Sequence, residues 1–273
     1  MSKLQEQVVI MKQLQTIAKI FKGSKGKIRP HFILTGPSGS GKSFAAETLA
    51  EMEDIGFLEI NAAQLTKEGT AGNSLSKALA GLNTKTNQPT IVFVDEFDKL
   101  FISGNNNSEL AHETTNGVQN EFLKVLESKT TAVFGDYGKY VNVDISNVLF
   151  IFAGAFNGEE NLNIDRLRDF GVKVEFLGRV GLVYNMPKLS LESMQVALET
   201  SPVLENYLKL FTGTTKGKVV DDIMPHVRKN YEKNTLGIRM INTLLHQYFI
   251  NGGKLEQEKV DQSTFQTMNL EEI

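Results

Sequence analysis

The chain has no cysteine among its 273 residues, and this absence excludes disulfide bonds and any zinc module with cysteine ligands. It also lacks a run approaching the ~20 apolar residues of a membrane span. Its first residues do not join a basic stretch to an apolar core, as a secretory signal would. A formal net charge of −3 gives no general drive toward nucleic acid or acidic membrane. These absences predict a soluble, cytoplasmic protein without membrane contact.

Although the net charge is weakly negative, basic residues cluster in one segment of the chain. The cluster consists of Lys19, Lys22, Lys25, Lys27 and Arg29. The cluster has two interpretations, contact with a nucleotide or DNA, and a solvated helix end followed by a loop. Charge runs of this kind are more often solvated surface, so we favour the second interpretation.

A glycine-rich segment follows the apolar run 32–35 and precedes the helical pattern 44–50. Its residues are Gly36, Pro37, Ser38, Gly39, Ser40, Gly41, Lys42 and Ser43. Glycines let consecutive backbone N–H groups turn inward around a phosphate, and Lys42 adds a positive charge toward the terminal phosphates. Ser43 offers a hydroxyl to Mg²⁺ at the positive end of a helix. The segment therefore predicts a P-loop that binds a nucleoside triphosphate.

A second apolar run, residues 90–94, ends on two carboxylates, Asp95 and Glu96. Hydrolytic P-loop proteins need acidic groups at the end of a neighbouring buried strand. Asp95 is expected to hold the metal, usually through water, and Glu96 to polarise the attacking water as general base. A strand that simply ends in a polar turn is the alternative. After a P-loop, we favour the functional interpretation.

The rest of the pattern predicts an α/β fold in which strands alternate with helices. Apolar residues at spacings of three and four between Leu4 and Phe21 indicate an amphipathic helix before the first strand. Continuous apolar strands predict a parallel sheet covered on both faces. Residues 133–143 predict a small β-hairpin inserted before the strand at 148–153, and residues 105–107 an exposed loop.

Past Pro187 the pattern changes from strands to helices, with Ser190 as a helix N-cap. Two further helices are indicated by residue spacing. One contains Ile223, Val227 and Tyr231, and the other contains the apolar residues between Ile241 and Phe249. We expect two units: a large α/β nucleotide-binding subdomain over residues 1–187, and an α-helical lid subdomain over residues 188–273.

The motifs, in this order, resemble those of AAA+ ATPases, and most closely the ClpX/HslU-like unfoldase branch. The resemblance runs from about Ile28 to Phe249 and rests on the P-loop and on residues 92–99, 147–156, 174–179 and 236–239. The Gly-Ala-Phe strand end at 154–156 and the Glu-Phe-x-Gly-Arg segment at 175–179 are its most specific parts. The resemblance implies a five-stranded sheet, a helical lid, and ATP with Mg²⁺ in the cleft between them.

The resemblance also assigns roles to two arginines. Arg179 matches the arginine finger, which reaches the γ-phosphate bound by a neighbouring subunit, so self-association into a hexameric ring or a filament is implied. Arg239 matches the sensor-2 arginine, which couples the phosphates to lid orientation. The implied catalytic set is Glu96, Arg179 and Arg239. Sensor 1 is not assigned, since the strand ends without a polar residue and Asn157 is the nearest candidate.

Three departures from the ClpX pattern shape the expected function. Gly69-Thr70-Ala71-Gly72 stands where the family has an aromatic pore loop, so a weak grip on polypeptide is expected. The connection between Phe156 and Phe176 lacks the protease-docking insertion, so no ClpP-like protease partner is expected. Since the sequence has no cysteine, a cysteine-rich zinc adaptor domain is not expected either.

Two functions remain open at this point. The first is an ATP hydrolase that remodels a protein complex without coupled proteolysis, its client being unidentified. The second is a nucleotide-gated ring or filament that assembles on DNA or on a DNA-bound partner. The four histidines, His31, His112, His226 and His246, have no metal-ligand spacing, and we expect packing or surface roles for them.

Overall fold

The structure is a computed structural model that describes residues 5–67, 72–85, 88–101, 109–135 and 138–255. Residues 69–71 of the expected pore loop and the loop expected at 105–107 lie outside these ranges, as does Leu4. Within them, no helix has the length and apolar character needed to cross a membrane.

A parallel sheet of five strands forms the centre of the first unit. The strands are β1 (Phe32–Thr35), β2 (Gly56–Asn61), β3 (Thr90–Asp95), β6 (Val148–Gly154) and β7 (Leu182–Asn185), in the order β2-β3-β6-β1-β7. Phe32 of β1 lies opposite Ile151 of β6 and Leu182 of β7. The central strands are buried along nearly their whole length because helices cover both faces.

One face of the sheet packs against α1 (Val8–Gly23) and α2 (Lys42–Met52). Helix α1 follows a 3-10 turn, Gln5–Gln7, and buries Met11, Leu14, Ile17 and Phe21. This spacing places the apolar stripe of α1 against the sheet, as the sequence predicts.

The opposite face carries the larger apolar core. It is covered by α3 (Leu75–Ala78), α4 (Glu109–Glu127), α5 (Ile164–Asp169) and α6 (Val174–Arg179), and by the predicted hairpin of β4 (Thr130–Phe134) and β5 (Tyr140–Asp144). Phe97 is fully buried there, with its ring centroid 4.8 Å from that of Phe152 and 5.0 Å from that of Phe176. Burial of such a ring contributes roughly 2–3 kcal/mol, and it anchors the turn that follows β3.

Up to residue 255, where the described part of the chain ends, the second unit is helical, with α7 (Leu191–Glu199), α8 (Pro202–Leu210), α9 (Lys216–Asn230) and α10 (Arg239–Ile250). They enclose a separate apolar core. The Ser190 hydroxyl accepts a hydrogen bond from Ser193 N–H, so the predicted N-cap is present. Helix α8, which the sequence analysis does not anticipate, starts at the Ser201 cap with Pro202 in its first turn.

Candidate nucleotide-binding site

The P-loop joins the carboxyl end of β1 to the start of α2. Gly36 has φ 144° and Gly41, the N-cap of α2, has φ 87°. A Cβ on Gly36 would lie 2.5 Å from the Met186 carbonyl oxygen, so only glycine fits this close approach. The loop thereby brings backbone N–H groups to the N-terminus of α2, which is a favourable place for phosphate.

Lys42 lies under the loop and is bound by it. Its Nζ donates to the carbonyl oxygens of Gly36 at 2.7 Å and Pro37 at 3.0 Å. Burial lowers the pKa of Lys42, against the opposing effect of the Asp95 and Asp98 carboxylates. The ammonium group is thus held at the phosphate cradle by neutral carbonyls, which a phosphate can replace as a stronger partner.

Ser43 and Asp95 meet at the carboxyl edge of the sheet, with Ser43 Oγ 3.5 Å from Asp95 Oδ2. Burial, and then the Asp95 and Glu47 carboxylates, raise the pKa of Glu59. A hydroxyl and a carboxylate are hard oxygen ligands of the kind Mg²⁺ takes together with substrate phosphates. The residues present therefore fit a magnesium–nucleotide complex. No group of three or more His, Cys, Asp or Glu in the described part of the chain forms a separate metal cage.

Glu96 follows β3 in a left-handed conformation, φ 54° and ψ 31°. This region is uncommon for a residue with a side chain. The backbone N–H of Glu96 donates to Asp95 Oδ1 at 2.8 Å, and the buried Phe97 follows directly. The Glu96 carboxylate is thereby exposed beside Asp95, free of the apolar core.

Arg239 reaches the P-loop from the first residue of α10, with Nη1 3.4 Å from Ser38 Oγ. The backbones also touch, since Ile238 N–H donates to the Gly39 carbonyl oxygen at 3.2 Å. A Cβ on Gly39 would lie 2.0 Å from the Leu236 carbonyl oxygen, and one on Gly237 would lie 2.5 Å from the Gly39 carbonyl oxygen. The helical unit and the P-loop therefore meet through two glycines.

A cavity of about 540 Å³ adjoins the P-loop between α1, α2 and the helical unit. Gln7, Met11, Ser40 and Phe44 line it on one side, and Val196, Pro202 and Ile241 are among the residues on the other. Its largely apolar walls beside a phosphate cradle suit a flat heterocycle such as a purine base.

Arg179, unlike Arg239, is not part of this cluster. It ends α6, shortly before β7, whose first residue lies opposite Phe32 at the start of β1. The P-loop follows the other end of β1, and four strand residues span roughly 13 Å. Arg179 Nη2 instead pairs with Glu127 Oε1 at 2.8 Å, at the end of α4. Both side chains are about half exposed.

Two polar residues near the site have no role in the sequence analysis. Asp98 is 1% exposed, and its Oδ2 accepts from Phe156 N–H at 3.1 Å. Asn185 Oδ1 accepts from Thr35 Oγ1 at 2.7 Å and from Leu162 N–H at 2.7 Å. Each ties together the ends of two strands or turns that are distant in sequence, which no local motif signals. Asn157 is exposed at φ 59°.

Comparisons with known proteins agree with this geometry. Residues 32–175 match the model of the family described as ATPases associated with various cellular activities (AAA), and the chain belongs to this family. It is similar to the protein named ATP-dependent Clp protease ATP-binding subunit ClpX from Porphyromonas gingivalis, with 27% identity across 80% of this chain and 64% of that protein. The protein of the same name from Bacteroides thetaiotaomicron is 28% identical across 67% of this chain and 55% of its own length.

The chain thus spans less than two thirds of the length of these relatives. The predicted α/β fold with a parallel sheet and a helical C-terminal region is confirmed, as is the resemblance to the ClpX branch.

Proposed function

We propose that this protein binds ATP with Mg²⁺, hydrolyses it, and uses the cycle to remodel a protein complex without coupled proteolysis. The observation that carries the proposal is the meeting of Lys42, Ser43, Asp95 and Arg239 around one glycine loop. These residues come from three elements that are far apart in sequence. A structural loop would not need a cation, a hydroxyl, a carboxylate and a second cation together.

Each residue has a distinct part in this proposal. Lys42 exchanges the Gly36 and Pro37 carbonyls for phosphate oxygens, while the loop N–H groups hold the same phosphates. Ser43 and Asp95 hold Mg²⁺, which neutralises charge on the phosphates when bound. Glu96, exposed next to Asp95, orients and deprotonates the attacking water. The base and ribose occupy the 540 Å³ cavity.

We further propose that the site is completed by a second copy of the chain. Arg179 lies toward the opposite edge of the sheet from its own P-loop and is half exposed, so it is available to the phosphates of a neighbour. A ring or filament follows from this arrangement. Within each subunit, residues 1–187 form the large nucleotide-binding subdomain and 188–273 the lid.

Three members of the basic cluster have partners within the chain, which weakens the case for assembly on DNA. Lys19 and Lys22 lie within 3.9 and 3.7 Å of Glu53 and Asp54 carboxylate oxygens, and Arg29 Nη1 donates to the Ile145 carbonyl oxygen at 3.0 Å. Internal partners of this kind reduce the positive potential that a phosphate backbone needs.

The expectation of no protease partner has its own structural support. The connection from Phe156 to α6 contains a 3-10 turn, Phe156–Gly158, and the short helix α5. Arg166 in α5 binds Glu159 at 2.6 Å and Asp169 at 3.4 Å, which folds the segment back on itself. The relatives' name refers to a protease subunit, and we propose that this chain acts without one.

Two variants test the ATP site. Glu96→Gln should bind ATP with Mg²⁺ normally while turnover falls roughly 10²–10⁴-fold, because only water activation is lost. Lys42→Ala should lose ATP binding. Glu160→Gln, which removes an exposed carboxylate after β6, is the matched control. Near-normal turnover in Glu96→Gln contradicts its role as base.

A second assay separates the two possible functions. We expect polypeptide with an unstructured tail to stimulate the ATPase, and single-stranded and duplex DNA to leave it unchanged. Stimulation by DNA alone would replace remodelling with nucleotide-gated assembly on DNA.

A further inference from the structure

The 3-10 turn at the N-terminus makes a second contact between the nucleotide-binding unit and the helical unit, separate from the one between Gly39 and Gly237. Its last two residues bind different partners, Glu6 at the start of α7 and Gln7 on the P-loop. We call this pair the N-terminal bridge. Its contacts are made by side chains that no nucleotide-binding motif contains.

Gln7 forms the P-loop end of the bridge. Its side chain is 2% exposed, and Nε2 donates to the Ser40 carbonyl oxygen at 2.6 Å. Gln7 is also the residue that precedes α1, whose apolar stripe is packed against the sheet. This end is therefore fixed to the nucleotide-binding unit by both a hydrogen bond and the burial of α1.

Glu6 forms the lid end of the bridge. Oε1 accepts from Ser190 N–H at 3.1 Å, and Oε2 accepts from the Ser193 hydroxyl, which is nearly buried. In an ordinary capping box, the third residue of the helix supplies the carboxylate that binds the N-cap N–H. Here that third residue is Ser193, and the carboxylate comes from 184 residues away along the chain.

The charge of Glu6 suits this position. Burial acts to raise its pKa, but the hydrogen bonds from Ser190 and Ser193 outweigh it, so the pKa is lowered. An ionised carboxylate at a helix N-terminus is further stabilised by the helix dipole. The bridge therefore binds the first turn of α7, where the chain enters the helical unit.

We infer that Glu6 is a positioning residue that makes the amino end of α7 the pivot of the lid. With that end held, a change in the lid angle would open the contact between Gly237 and Gly39 while the first turn of α7 stays in place, and Arg239 would move relative to the phosphates. Because Gln7 is hydrogen-bonded to Ser40 of the P-loop and is adjacent to Glu6, a displacement of the P-loop also displaces this pivot. This inference rests on the proposed function, since it assumes that nucleotide binds between the P-loop and the lid.

Spin-label distances test the pivot directly, because the chain contains no cysteine and labels can be placed at will. Labels at Glu51→Cys on α2 and Glu205→Cys on α8, both exposed, report the angle of the lid. The nucleotide probe is AMP-PNP with Mg²⁺. We expect a narrow distance distribution in the otherwise unmodified protein, and a shift of that distribution on adding the probe.

Glu6→Ala should broaden the distribution without nucleotide and weaken AMP-PNP binding roughly tenfold, because two hydrogen bonds to a carboxylate are lost. Glu6→Gln, which keeps an acceptor for Ser190 N–H, should restore most of both properties. Ser193→Ala removes only one donor and should have an intermediate effect, non-additive with Glu6→Ala. Glu192→Ala, on the exposed side of the same turn, is the matched control.

An unchanged distance distribution in both Glu6→Ala and Ser193→Ala overturns the pivot. Equal effects of Glu6→Ala and Glu192→Ala overturn it as well, since a general change of charge would then be responsible. Should the unmodified protein fail to bind AMP-PNP, the proposed function fails, and the nucleotide-free distributions still decide whether the bridge holds the lid.

Discussion

The two edges of the central sheet differ in the groups that lie next to them. At the carboxyl edge the chain leaves the strands through left-handed residues, with φ 54° at Glu96 and φ 45° at Phe156, and charged groups cluster there. At the amino edge, His31 Nδ1 accepts from Phe150 N–H at 3.0 Å, and Arg29 is bound to the Ile145 carbonyl oxygen. A left-handed residue also precedes a strand at the amino edge, Asp54 with φ 50°, but Glu96 lies directly beside the charged groups of the site.

This difference separates function from stability within one sheet. Strained backbone and clustered charges persist only where the surrounding fold compensates for them, and they are typical of sites that act on ligands. Substitutions at the carboxyl edge should therefore change activity more than stability, and those at the amino edge the reverse. Arg179 is an exception. It lies toward the amino edge, yet it is proposed to act on phosphate.

Removing Arg179 should have the largest effect. Arg179→Ala should bind ATP normally but hydrolyse it at least about 10³-fold more slowly, as arginine fingers do when lost. Mixing it with Lys42→Ala subunits should restore part of the activity at interfaces that pair an intact loop with an intact arginine. Arg168→Ala, exposed on α5, is the control. Failure to recover activity in verified mixed oligomers would return Arg179 to a structural role with Glu127.

Arg239→Ala should have a smaller effect of a different kind. Because Arg239 touches its own P-loop, its loss should weaken ATP binding roughly 10- to 100-fold. Mixing with Lys42→Ala subunits should give no recovery, since the defect lies in the same chain as the loop. Titration with a fluorescent ATP analogue measures the affinity, and recovery on mixing would show that this arginine also acts across subunits.

The smallest effect is expected at the amino edge, where His31 should make stability depend on pH. Burial, and then the Arg29 charge, lower its pKa to about 3, whereas the unfolded chain binds that proton below pH ~6.5. The unfolded state therefore takes up more protons as pH falls from 6.5 toward 3. Stability should decrease by up to roughly 1.4 kcal/mol for each pH unit in that window.

Urea unfolding between pH 7 and pH 5 measures this dependence. His31→Gln retains an acceptor for Phe150 N–H without a titrating ring, so the contribution of His31 to the slope should disappear. His226→Gln, half-buried on α9, controls for histidine content. A slope that is the same in all three proteins rules out His31 as its source.

Local patterns account for what the sequence predicts well. The strand before Gly36 and the strand ending at Asp95 are signalled by adjacent residues, and so is the hairpin. Helix α8 begins within a few residues of the end of α7, so the apolar pattern does not separate the two. The Glu6–Ser190 and Arg179–Glu127 contacts join residues remote in sequence, and such pairs become visible only when the chain is folded.

The contact between Gly39 and Gly237 restricts which residues these two positions can hold. A Cβ on Gly39 would clash with the backbone at Leu236 and Gly237, and a Cβ on Gly237 would clash with the backbone at Gly39. Both residues also have positive φ. A substitution at one position cannot be offset by a change at the other, because neither has a side chain to make smaller. A side chain at either position would therefore force the lid away from the P-loop.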